Sequence, residues 1–475
     1  MSSLKFGTSG LRGLVADMRP ELCARYVGAF LSHLEAAGGP GSQVPVLVGR
    51  DLRASSPEIA AACLSAARAA GYRTVDCGAL PTPALALEAM RLGAPAIMVT
   101  GSHIPADRNG LKFYKPDGEI DKADEAGILR HFEQRKEVSV PKAEASPAIS
   151  SEALDNYRRR YEAVGEGFAL AGMKVGIYQH TSVARDLIAH VLESLGAIPV
   201  PLGRSETFIP VDTEALRAED VELAKGWAAE FDLDAIVSTD GDADRPLVAD
   251  EQGRFLRGDV VGVLTAFMVG ADTVVTPVTS SSAVELSGRF AHVVRTRVGS
   301  PYVIEAMAEQ GGEDGRIVVG YEANGGVLLG SNVERADFRL TALPTRDALL
   351  PILAVLSLAG RRGIPVSQLV SELPARFTVS DRLENVASEK SAALLGMLSD
   401  DAAIAAFLGS RARLEKVDRT DGVRLLLAGG DTLHYRPSGN APELRCYAEA
   451  ATESQAASLL DWGLDKARTI IARTG

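Results

Sequence analysis

Asp234-Ala235-Ile236-Val237-Ser238-Thr239-Asp240-Gly241-Asp242-Ala243-Asp244-Arg245 joins an apolar run to a turn with carboxylates at three alternate positions. Short runs rich in Val and Ile and bounded by Gly, Pro or polar residues read as buried strands, and longer Ala/Leu-rich stretches read as helices. Here the strand ends in the acidic loop. The same grammar precedes it in the first third. Val44-Pro45-Val46-Leu47-Val48 leads to a helix-like stretch over 57–70, and Ala94-Pro95-Ala96-Ile97-Met98-Val99 stops at Thr100. Met173-Lys174-Val175-Gly176-Ile177-Tyr178 and a helix over 184–195 come before the quoted run. A last copy runs from Asp272-Thr273-Val274-Val275 to Arg316-Ile317-Val318-Val319 and stops at Gly320. Read as a repeated unit or as ordinary α/β alternation, the pattern delivers three polar loops at strand ends, where open α/β sheets commonly place ligands.

At 475 residues the chain exceeds a single core, and about three or four compact units are expected. The segment 137–151 has a linker's composition, 250–254 reads as a turn, and 363–374 marks a further boundary, leaving a small C-terminal unit. A balance of 46% apolar and 24% charged residues fits a globular protein. The formal charge of −12 argues against a nonspecific nucleic-acid binder, although gathered Arg and Lys can still make a cleft positive for a small anion. Cys23, Cys63, Cys77 and Cys446 form no zinc or disulfide framework, the N-terminal residues lack a signal-peptide run, and windows such as 348–360 fall short of a membrane span. The expectation is a soluble cytoplasmic protein with no membrane partner.

The acidic loop is the most specific chemical signal. Asp240, Asp242 and Asp244 can converge on one hard cation, magnesium or calcium. An EF-hand would put Glu251 at its twelfth position, but Arg245 stands where the turn needs glycine, and a strand, not a helix, leads in. The first loop, Thr100-Gly101-Ser102-His103-Ile104-Pro105, exposes a hydroxyl beside small residues, with His103 and Lys112 as sources of charge or proton transfer. The third, Gly320-Tyr321-Glu322-Ala323-Asn324-Gly325-Gly326, offers a carboxylate and an amide to vicinal hydroxyls. Arg436-Pro437-Ser438-Gly439-Asn440 combines backbone N–H groups, a hydroxyl and a guanidinium suited to a phosphate, and Gly7-Thr8-Ser9-Gly10-Leu11-Arg12 offers Arg12 to an anion.

In this order, from Gly7 to Tyr447, the five segments resemble the α-D-phosphohexomutase superfamily. The resemblance implies an α/β fold of four domains around a central cleft, the first three alike and the last a smaller α+β domain, at 1–145, 146–252, 253–368 and 369–475. It implies phosphoserine at Ser102 and magnesium on Asp240, Asp242, Asp244 and a Ser102 oxygen. Arg12, His103, Lys112 and Arg245 would surround the transferring phosphoryl group. Glu322 and Asn324 would contact sugar, while Arg436, Ser438, Gly439 and Asn440, with Arg297, would hold the other phosphate.

The implied reaction interconverts hexose 1-phosphate and hexose 6-phosphate through a hexose 1,6-bisphosphate, which also serves as activator, with Lys112 or His103 as the acid/base. A monomer or homodimer is expected. Ile104 stands where many relatives have Asn, and Asn440-Ala441 where Thr-Glu is common. In the sugar loop, Asn324 replaces Ser and Gly326 replaces His. Glu-Ala-Asn-Gly-Gly looks most like bacterial phosphomannomutase sequences, ahead of phosphoglucomutase or phosphoglucosamine mutase. A phosphatase and a non-catalytic calcium or sugar-phosphate binder are the readings from other classes.

Overall fold

A computed structural model describes residues 3–7, 10–135, 148–311, 315–438 and 442–473. Most of the expected linker, with Gly439, Asn440, Thr8 and Ser9, lies outside the described residues. Two compact units are present: Met1–Val274 with Gly299–Val370, and Val275–Val298 with Ser371–Gly475.

In the first unit, one sheet has the order Lys5–Gly7, Gly10–Leu14, Arg108–Lys115, Ala96–Val99, Val46–Arg50, Thr74–Ala79, with Gly118–Glu119 paired to Arg108–Lys115. Ala96–Val99, Val46–Arg50 and Thr74–Ala79 run parallel, and Arg108–Lys115 returns antiparallel. Ala96–Val99 and the start of Val46–Arg50 read as apolar runs because helices cover them, among them Pro20–Ala36 and Ser56–Ala69, whose buried faces join Val46, Val48, Ile97 and Val99 in one core. Asp121 starts the helix Lys122–Gln134 by accepting the Ala123 and Asp124 N–H groups, a reciprocal cap that explains its sharp entry.

A second sheet repeats the plan. Ala235–Thr239 and Ile198–Arg204 flank Lys174–His180 in parallel, and Pro246–Ala249 returns antiparallel against Ala235–Thr239. A third turn of the same kind joins Val318–Tyr321 to the antiparallel Val327–Leu329, which pairs with Leu343–Asp347. The loops 100–107, 240–245 and 322–326 are therefore the same connection three times, from a buried strand into its antiparallel return. Expected strand and helix positions agree with this to within a few residues.

The second unit is an antiparallel sheet in the order Phe377–Glu384, Glu443–Ala450, Thr432–Pro437, Val423–Leu427, Leu414–Asp418. Its core joins Leu425, Leu433, Tyr435 and Cys446 to Leu394, Ile404 and Leu464 from the helices Ser388–Met397, Asp401–Leu408 and Glu453–Arg473. The stretch 275–298 is held within this unit by the buried Glu449, which accepts the Ser282 N–H at 3.0 Å, and by Arg376 Nε donating to Ser282 Oγ at 3.1 Å. Among the described residues no single helix is long and apolar enough to cross a membrane.

Candidate active site

The three repeated loops of the first unit meet. Ser102 has a φ of 54°, a left-handed conformation that a side-chain-bearing residue rarely adopts, and its Oγ donates to Asp240 Oδ2 at 2.5 Å. His103 Nδ1 lies 3.2 Å from the same Oγ and accepts from Arg245 Nη1 at 3.1 Å. Burial, with Arg245 close by, pushes the His103 imidazole down to about 3, so it is neutral at physiological pH.

Asp240, Asp242 and Asp244 are buried and present ligand atoms within 4.8 Å of one another. At an effective dielectric constant of about 20, two like charges ~4 Å apart repel by about 4 kcal/mol, so such a trio requires cations. Lys112 Nζ donates to Asp242 Oδ2 and Asp244 Oδ2 at 2.6 Å each. Thr82 Oγ1 also donates to Asp242 Oδ2, at 2.6 Å. Burial opposes ionisation of Asp242 and Asp244, yet both stay below the ordinary carboxylate range because Lys112 and Thr82 hold Asp242, and Arg346, Lys112 and Arg245 hold Asp244. Burial and the two neighbouring carboxylates push Asp240 well up.

Asp242 Oδ1 and Asp244 Oδ1 are buried without a hydrogen-bond partner among the described residues. Two orphaned carboxylate oxygens beside a third carboxyl that resists ionisation fit a small divalent cation bound through oxygen. Arg12 lies on the strand opposite Gly110, and burial together with Arg245 pushes its guanidinium down to about 10.

Glu322 and Asn324 are 5% and 6% exposed, at the third turn. The Asn324 amide is folded onto its own loop, accepting the Gly326 N–H at 2.9 Å and donating to Glu322 Oε2 at 3.4 Å. Gly258 starts the helix Gly258–Val269 against this loop, where a Cβ would fall 2.2 Å from the Gly325 nitrogen.

Arg297, Arg436 and Ser438 belong to the second unit. Arg436 Nε donates to Asp421 Oδ2 at 2.6 Å, and Arg297 Nε donates to the Thr420 carbonyl at 3.3 Å. Both guanidinium groups thus gather at one hairpin corner. The Ser438 N–H donates to the Glu443 carbonyl at 2.9 Å, closing the base of the expected phosphate loop, whose Gly439 and Asn440 lie outside the described residues.

Two buried arginines were missed in the sequence. Arg53 donates to the carbonyls of Ser102, Ile104, Pro105 and Arg108 at 2.9, 2.6, 2.7 and 3.0 Å, and so sets the path of the serine loop. Arg346 donates to Asp244 Oδ2 from Nε at 3.1 Å and Nη2 at 2.7 Å, and to Glu322 Oε2 from Nη1 at 3.3 Å. The Arg50-Asp51-Leu52-Arg53 run after a strand was the available signal for the first. A lone Arg in Leu343–Asp347 gave none for the second.

Family models for phosphoglucomutase/phosphomannomutase match the chain in order: α/β/α domain I at residues 3–139, domain II at 156–253, domain III at 258–377 and the C-terminal domain at 380–462. A phosphomannomutase of Sinorhizobium fredii is 50% identical over 97% of this chain and 98% of its own length. A phosphomannomutase of Salmonella muenchen is 44% identical over 99% and 97%. The crystal structure of a phosphoglucomutase/phosphomannomutase family protein from Burkholderia thailandensis shares the fold, with a TM-score of 0.76 at 21% identity, covering 98% of this chain and 97% of that one. With the serine loop, the acidic loop and the sugar loop joined as described, the chain belongs to the phosphoglucomutase/phosphomannomutase family, four-domain mutase enzymes of the α-D-phosphohexomutase superfamily.

Proposed function

We propose that the chain interconverts hexose 1-phosphate and hexose 6-phosphate, with mannose phosphate as its principal substrate, through phosphorylated Ser102. The carrying observation is the Ser102 hydroxyl, 2.5 Å from Asp240 Oδ2. The two relatives named phosphomannomutase support the choice of sugar.

In this reading the free sugar hydroxyl attacks the phosphorus on Ser102. A bond from the sugar oxygen to phosphorus forms, the bond from Oγ breaks, the hydroxyl proton leaves to a base, and Oγ takes up a proton as it departs. His103, neutral and beside Oγ, is the group set to hold a proton there, while Lys112, bound to two carboxylates, supplies fixed positive charge. Asp240, Asp242 and Asp244 with a Ser102 oxygen would hold Mg2+, whose charge polarises the phosphoryl group. Arg12 and Arg245 stabilise charge spread over the phosphoryl oxygens. Glu322 and Asn324 hydrogen-bond sugar hydroxyls, and Asn324 also braces its own loop through the Gly326 N–H.

The bisphosphate so formed turns around and returns its other phosphate to Ser102, and free hexose 1,6-bisphosphate is the activator. Arg436, Ser438, Gly439, Asn440 and Arg297 hold the phosphate that is not being transferred. The domain limits 1–145, 146–252, 253–368 and 369–475, a cytoplasmic location, and a monomer or homodimer acting on small molecules belong to the same proposal.

Ser102→Ala, assayed with mannose 1-phosphate, Mg2+ and the bisphosphate, should lose turnover. Turnover near wild type refutes the phosphoserine route, and steady release of inorganic phosphate by the unaltered protein would make it a phosphatase.

A further inference from the structure

The sugar loop and the acidic loop share one cation. Arg346 is 2% exposed and sits on Leu343–Asp347, the strand beside the return of the sugar loop. Its guanidinium spans two carboxylates from different loops: Asp244 Oδ2, from Nε at 3.1 Å and Nη2 at 2.7 Å, and Glu322 Oε2, from Nη1 at 3.3 Å. Burial disfavours the guanidinium, yet Asp244, Glu119 and Glu322 together raise it well above its ordinary range.

The room for this side chain is made by Gly326. A Cβ there would fall 2.6 Å from Arg346 Cδ and 2.8 Å from Cγ, and these atoms belong to a side chain pinned at its far end, so they cannot swing away cheaply. Gly326 thus vacates the space through which Arg346 reaches across.

From this bridge we infer that Arg346 is a positioning residue that couples the sugar-contacting carboxylate Glu322 to the metal-facing carboxylate Asp244. By engaging Oδ2 of Asp244, Arg346 leaves Oδ1, which is buried and without a hydrogen bond among the described residues, with only Arg245 Nε at 3.7 Å, to face a cation. By engaging Oε2 of Glu322 it leaves the other oxygen for a sugar hydroxyl. One positive charge is shared among Asp244 and Glu322, which it bridges by hydrogen bonds, and the nearby Glu119. Neutralising Glu322 leaves more of that charge to Asp244, where it competes with a divalent cation. The strength of metal binding then depends on a residue that does not touch the metal, and the dependence passes through Arg346. This rests on the proposed metal reading of Asp240, Asp242 and Asp244.

The test is a double-mutant cycle read by Mn2+ binding to the dephosphorylated full chain, followed by calorimetry or by electron paramagnetic resonance of free Mn2+. Glu322→Gln should raise the Mn2+ Kd by about threefold or more in the wild-type background, a modest coupling for residues sharing one network. In an Arg346→Met background the same substitution should change Kd by less than about 1.5-fold. A merely structural role for Arg346 would lower the melting temperature without altering what Glu322→Gln does to Kd. Should Arg346→Met fail to fold, Arg346→Lys keeps the charge but cannot span both carboxylates bidentately, and the same contrast is read there.

An unchanged Kd in Glu322→Gln, or an equal change in both backgrounds, overturns the coupling. Absence of any Mn2+ binding to the wild-type protein overturns the metal reading instead, so the two failures are told apart.

Discussion

Replacing Arg53 with Met should cost the enzyme both stability and rate. Asp51 and Arg53 are 0% and 2% exposed, with Arg53 Nε donating to Asp51 Oδ2 at 3.1 Å. Burial pushes the Asp51 carboxyl up and the Arg53 guanidinium down, each against the attraction of the other, so desolvation outweighs pairing on both sides. Such a pair is poor evidence of net stabilisation, yet breaking it strands the survivor.

Met fills much of the space of the stem but leaves Asp51 without its counter-ion and the carbonyls of Ser102, Ile104, Pro105 and Arg108 without their donor. Losing one member of a buried pair costs about 3–5 kcal/mol. At about 2.1 cal/mol/K per residue, the first unit shifts by about 1.4 °C per kcal/mol, so the melting temperature should fall by roughly 4–7 °C. The serine loop would lose its guide as well, and a displacement on the order of 1 Å costs about 100-fold in turnover. Calorimetry and steady-state assays of wild type, Arg53→Met and the Asp51→Asn/Arg53→Met double variant decide it. The double variant, relieved of the stranded charge, should melt above Arg53→Met. A single variant within about 2 °C of wild type at near-normal turnover refutes the reasoning, and so does a double variant that melts lower than the single one.

Gly326→Ala should destabilise the first unit by about 1–3 kcal/mol through overpacking and raise KM for the hexose phosphate, because its Cβ meets Arg346 Cδ at 2.6 Å; unchanged melting and KM would mean that the loop yields freely. Acid should weaken the second unit through His434, whose ordinary value of 6.5 burial pushes down to about 4. The unfolded chain takes up a proton below about pH 6.5 while the folded one resists until about pH 4, so stability present at neutral pH is lost progressively across that window, by about 3 kcal/mol in all. His434→Gln should flatten this fall in denaturant unfolding at pH 7.5 and 4.5, and an equally steep fall would assign it to other groups.

Much of this was legible in the residues, for identifiable reasons. Strands buried on both faces appear as unbroken apolar runs, so Ala96–Val99, Ala235–Thr239 and Val318–Tyr321 announced themselves and located the loops that follow. Asp240, Asp242 and Asp244 were legible because their ligand geometry is local to one turn. Arg346 was not. Its meaning comes from Asp244 and Glu322, 102 and 24 residues away, and no local spacing encodes that meeting. Thr82 on Asp242, 160 residues apart, was hidden for the same cause. The contacts of the Asn324 amide with the Gly326 N–H and Glu322 Oε2 on its own loop follow a local pattern common at such turns.

The central claim is that Ser102 carries the phosphoryl group between the two ends of a hexose. Incubation with mannose 1,6-bisphosphate and Mg2+, then peptide mass spectrometry before and after excess mannose 6-phosphate, measures this directly. One phosphate should appear on Ser102 and leave when the monophosphate is added, with mannose 1,6-bisphosphate formed in equal amount. A Ser102 that stays unmodified while mannose 1-phosphate is still converted would contradict the account.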